Sequence, residues 1–142
     1  MFYSPQEIEA ITMTLRESLG SNIPWKYEEK YHVMLSEFAQ NKADVVLENL
    51  RQSLPDEWQG KQAKKLPAEL KEQLGALAKL SKNQKILAVS ADEHSPTIIA
   101  LWWPWDHGGT YSLRIMLCNN SYENTANHTS SGIFSKLKAL FA

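Results

Sequence analysis

Pro96 to Cys118, PTIIALWWPWDHGGTYSLRIMLC, decides how the chain is read. In its second half Tyr111, Leu113, Ile115 and Leu117 alternate with Ser112, Arg114, Met116 and Cys118. Alternation with a period of two marks a strand whose successive side chains point to opposite faces. The first half is apolar on both faces, with Ile99, Leu101, Trp103 and Trp105 on one and Ile98, Ala100 and Trp102 on the other. Such a strand is covered on both sides, or keeps one side for a partner. Asp106-His107-Gly108-Gly109 lies between the halves and supplies residues suited to a reversal. Pro104 has no amide hydrogen for a ladder, so pairing should end near it. The stretch is an antiparallel hairpin with Trp103 and Trp105 close to its tip.

Working outward, Lys85 to Ala91 (KILAVSA) is a strand that joins the hairpin through a turn at 92–96, giving a three-stranded meander over 85–118. Residues 1–80 read as mainly helical. Ser4, Pro5 and Glu7 form a capping box with proline at the first helical position, and Ile8, Ile11, Leu15 and Leu19 form the buried stripe behind it. Trp25, Tyr27, Tyr31, Met34, Leu35 and Phe38 recur at helical spacing and imply a second, aromatic-faced helix. Asn41 or Asp44 opens a third that Pro55 ends, and Asp56 to Gly60 is a turn around Trp58. A fourth runs from Leu66-Pro67 through Leu70, Leu74, Leu77 and Leu80, with Gly75 inside it. Residues 119–132 form a polar loop, and Ser131 caps a C-terminal helix over 133–142. The expected architecture is one α+β domain, residues 1–142, with about four N-terminal helices, a three-stranded antiparallel meander and a C-terminal helix.

Composition is that of a soluble globular protein, and 142 residues are enough for one core. No apolar run approaches the roughly 20 residues that span a bilayer. The start, MFYSPQEIEA, lacks the pattern of a signal peptide, and the single cysteine, Cys118, precludes an intramolecular disulfide framework. A cytoplasmic protein with no membrane partner is expected. The formal net charge of −1 conceals segregation: residues 1–60 hold ten acids against five Lys/Arg, and residues 61–86 hold seven lysines against two acids. The lysine cluster at 61–65 has no interleaved aromatics or glycine-rich loop, which argues against nucleic acid.

No residue earns a catalytic or metal-binding role. His32, His94, His107 and His128 are scattered without ligand spacing, Ser130 and Ser131 lack a nucleophile motif, and no cofactor is implied. Asp106 with His107 is the best acid–base pair, and an enzymatic alternative (a hydrolase or nuclease) would rest on it. Aromatic residues near a strand tip suit an interface instead. The expected binding residues are Trp103, Trp105, Asp106 and His107, with Glu28, Glu29 and Glu37 as an electrostatic fringe. An acidic fringe suits a basic partner, so the expected function is protein binding, of the inhibitor or immunity type that occludes a basic toxin or nuclease domain. A homodimeric adaptor packing through Ile98 to Trp105 is a further alternative, as is a small-ligand pocket lined by Trp25, Tyr31 and Trp103.

Overall fold

A computed structural model describes residues 3–20 and 22–123. Helix α1 (Pro5–Leu19) begins as expected, with the Ser4 side chain accepting from the Glu7 amide and Glu7 accepting in return from the Ser4 amide. That bond also holds the Glu7 carboxyl below its ordinary range. Strands β1 (Lys26–Glu28) and β2 (Val33–Ala39) follow, then helix α2 (Ala43–Ser53) and strand β3 (Asp56–Gln59). A 3-10 stretch (Gly60–Lys65) leads to helix α3 (Ala68–Leu74) and a second 3-10 turn (Gly75–Ala78). The chain finishes with β4 (Lys85–Val89), β5 (Thr97–Pro104) and β6 (Thr110–Cys118).

All six strands form one antiparallel sheet in the order β1-β2-β6-β5-β4-β3. The expected meander is its β4-β5-β6 centre, and the three-stranded architecture is corrected to six strands. Two of the added strands come from the stretch read as an aromatic-faced helix, and the third, β3, from the turn expected around Trp58. Trp25 to Phe38 is a hairpin, reversed at His32, whose φ of 54° lies in the left-handed region. Its residues are spaced as for a helix because this hairpin is apolar on both faces: Met34 and Phe38 point one way, Val33 and Leu35 the other, and all four are buried. Without a polar face there is no period of two to see. Strand β3 is short and polar apart from Trp58, which is 1% exposed, and it lies at an edge, where short polar strands are usual. Gly75, expected inside a helix, ends α3 with a φ of 56°. The expected helix over 133–142 and the loop beyond residue 123 lie outside the described residues.

The sheet is covered on both sides. On the first face α1 and α2 bury Leu15, Leu19, Val46 and Leu50 against Phe38, Leu87, Trp102, Leu113 and Ile115. On the second face Leu66, Leu70 and Leu74 pack on Trp58, Ile86, Ile99 and Leu101. Burying side chains of this size is worth roughly 1.5–3 kcal/mol each, so the two layers dominate stability.

Tyr122 carries the chain back over the β3 edge. Its hydroxyl donates to Asp56 Oδ2 at 2.6 Å, its amide donates to Ser90 Oγ, and its ring meets Trp58 edge-on. Burial, then the Asp56 bond, pushes the phenol well above its ordinary value of 10.0. The folded state therefore holds this proton more tightly than the unfolded chain, and the associated stability is full below about pH 10 and declines above it. Tyr122→Phe should cost about 1 kcal/mol at neutral pH in a denaturant titration and should flatten the fall in stability above pH 10 relative to the parent.

Candidate functional site

The register of the sheet gathers part of the expected binding set. Across the second face the row Trp58, Ile86, Leu101 continues through Arg114 and Leu35 to Lys26. The next row toward the hairpin tip is Trp103, Ser112, Glu37. Leu101, Ile86 and Trp58 belong to the apolar cluster that includes α3 residues, whereas Leu35, Glu37, Ser112 and Arg114 belong to no apolar cluster. Across the sheet toward β6, β2 and β1, and at the hairpin tip, large polar and aromatic side chains take over the covering role.

Arg114 is the centre of this patch. Its guanidinium donates to both oxygens of Glu28, at 2.7 Å from Nε and 3.3 Å from Nη2. Its Cζ lies 4.9 Å from the centroid of the Trp103 ring and 5.5 Å from that of Tyr31. The two side chains of the pair are 15% and 21% exposed, so the interaction is shielded from solvent more than a surface ion pair is. A planar cation between aromatic faces and a carboxylate uses the features that distinguish arginine from lysine. The Trp103 indole N–H is buried and unpartnered among the described residues.

Trp105 lies beside this group at the start of the tip. Its amide donates to the Thr110 carbonyl at 2.8 Å, closing the 105–110 loop, and its indole N–H donates to Ser112 Oγ at 2.8 Å. The residue is nonetheless 43% exposed. His107 packs edge-on against it with centroids 5.8 Å apart, and His107 Nδ1 accepts from the Gly109 amide. A side chain on Gly109 would intrude, because a Cβ there would lie 3.0 Å from His107 Nδ1.

Of the expected residues, Glu28, Trp103 and Trp105 are tied into the patch directly, Glu37 sits beside Ser112 in the same row, and His107 joins through Trp105. Asp106 and Glu29 stand exposed, in the tip loop and in the β1–β2 turn, with no side-chain partner among the described residues. Sequence reasoning missed Arg114 and Ser112, and gave Tyr31 only as a wall of a small-ligand pocket. Arg114 was recognisable as the one charged residue inside an otherwise apolar strand, but its partners come from a hairpin read as helix. Trp25 packs on the first face, so the suggested pocket of Trp25, Tyr31 and Trp103 does not form as a unit.

The Asp106 and His107 pair is exposed at the tip, and buried Cys118 pairs with Thr97 at the opposite end of the hairpin. Strand β5 is bonded on both edges, to β4 and β6, and is packed on both faces, so it offers no open edge to a second copy. Among the described residues no three His, Cys, Asp or Glu side chains converge as a metal site, and no helix is long and apolar enough to cross a membrane. No protein-family model, curated protein or solved structure matches the chain.

If Arg114 organises the patch through its plane and fork, charge alone will not replace it. Arg114→Lys should lower stability by about 1 kcal/mol, and Glu28→Gln in the same background should add little, since the two act as one unit. A denaturant-unfolding double-mutant cycle measures this coupling.

Proposed function

We propose that the protein is a binding domain that engages another protein with the β6-β2-β1 side of its second sheet face and the adjoining hairpin tip, and that its role is to neutralise a basic partner of the toxin or nuclease kind by covering that partner's active site. The observation that carries this reading is Trp105. A large indole is held in place by its own N–H bond to Ser112 and by the closed tip loop, yet the residue is well exposed to solvent. A rigid exposed aromatic loses little conformational freedom on binding and offers a large apolar area, as interface anchors do.

Charge favours a basic partner. Arg114 is neutralised internally by Glu28, and the acids nearest the anchor, Glu37 in the row of Ser112 and Asp106 next to Trp105 in sequence, have no side-chain partner among the described residues. Lys26 and Lys30 border the same patch, and Lys30 lies over the Tyr31 ring 5.1 Å from its centroid. Attraction of this kind acts mainly on the association rate.

The test uses a lysine-reactive crosslinker in cells that produce the protein naturally, followed by purification of the crosslinked protein. The reading expects adducts through Lys26 and Lys30 to a basic protein whose activity falls when the purified domain is added. Trp105→Ala should weaken that complex by about tenfold or more without lowering the domain's own melting temperature by more than a few degrees. Raising the salt concentration should slow association. Adducts confined to other surfaces, or a Trp105→Ala variant that inhibits as well as the parent, would contradict the reading.

A further inference from the structure

A second candidate feature lies in the segment that connects β3 to β4. The 3-10 stretch Gly60–Lys65, helix α3 and the turn Gly75–Ala78 border an open surface cavity of about 600 Å³, within the range that holds small ligands. Four of its lining residues are lysines: Lys61, Lys64, Lys71 and Lys79. The remainder are Ala63, Ala78, Leu80 and two glycines, so a largely apolar floor is bordered by lysine side chains. Ala63, Ala78 and Leu80 also pack on the core cluster that contains Trp58, which makes the floor continuous with the interior.

This convergence depends on backbone that few residues adopt. Gly60 and Gly75 both line the cavity with φ near +55°, at 54° and 56° respectively. A side chain at either would meet no neighbour within 4 Å, so the requirement is conformational. The two reversals fold lysines that are up to 18 residues apart in sequence around one opening.

The charges there are uncompensated. Lys71 Nζ donates to the Lys64 carbonyl at 2.8 Å, whereas the side chains of Lys61, Lys64 and Lys79 have no hydrogen-bonding or ionic partner among the described residues. The two acids of this region, Glu69 and Glu72, do not line the cavity. Like charges around one opening repel, and an anion relieves that repulsion. The rim contains lysine and no arginine, which suits a point-charge contact to phosphate or carboxylate better than a planar fork.

We propose that this cavity binds a monomeric anionic amphiphile, with a phosphate or carboxylate head held by Lys61, Lys64 and Lys79 and a short apolar body on Ala63, Ala78 and Leu80. A bare anion would leave the floor wet, and a neutral apolar molecule would leave the lysines unpaired. A nucleic-acid strand would use the charges but not the floor. The proposal is independent of the docking face, which lies around Arg114.

Decyl phosphate, kept below its micelle concentration, is a suitable probe, followed by ¹H–¹⁵N NMR of the full chain. The amides of Gly60 and Gly75 should shift saturably. Inorganic phosphate, decanol and decyltrimethylammonium should each bind about tenfold more weakly or worse. The double variant Lys64→Glu, Lys79→Glu should lose about tenfold or more in affinity while keeping the parent spectrum elsewhere, and the milder Lys64→Gln, Lys79→Gln pair should fall between. The absence of saturable shifts would overturn the proposal. So would binding that is indifferent to the lysine changes, binding of the cationic probe equal to that of the anionic one, or binding to anionic vesicles without binding of the monomer.

Discussion

A strand with no polar face sets the terms for everything around it. Ile98, Ala100 and Trp102 on one side of β5 and Ile99, Leu101 and Trp103 on the other must all leave water, and only a central position in a sheet with layers on both faces achieves that. Helices α1 and α2 provide one layer and the segment around α3 provides the other. The hairpin β1-β2 extends the sheet past β6, and β3 extends it past β4, so that neither central strand is left with an open edge.

The second layer is incomplete in a specific way. Where α3 packs, the sheet presents Trp58, Ile86 and Leu101, and farther along the same row it presents Arg114 and Leu35. A guanidinium could not sit under an apolar helix without an expensive loss of hydration. Its position is tolerable because Glu28 accepts its hydrogen bonds and the Trp103 and Tyr31 rings lie close to it, leaving it at the border of the solvent. The same substitution of side chains for a helix is what leaves Trp105 partly uncovered. Architecture and candidate docking face thus have a common origin in the change of residue type along β6.

What could be read from the chain followed from how local each signal is. The capping box at Ser4 and the alternation in β6 are encoded within a few residues, and both appear where expected. Helix α2 and the β4-β5-β6 order were legible for the same reason. The β1-β2 hairpin was not, because burial on two faces erases the polar half of the pattern and leaves aromatic residues at spacings that also fit a helix. Ser36, buried between Leu35 and Glu37 near the middle of β2, shows how little its composition revealed. The candidate site was half legible: tryptophans beside a turn advertise themselves, whereas the Glu28 and Arg114 pair spans 86 residues and exists only once β2 lies against β6.

The account therefore stands on Val33–Ala39 being a strand paired antiparallel with β6, since that pairing alone places Glu28, Tyr31 and Glu37 beside Arg114, Trp103 and Trp105. Cross-strand proton contacts in the NMR spectrum of the labelled protein report on it directly. The expected result is contacts linking Leu35 with Arg114 and Tyr27 with Met34, as the register requires. A continuous run of contacts between residues three and four apart from Trp25 to Phe38 would show a helix there instead, and would contradict both the six-stranded sheet and the site built on it.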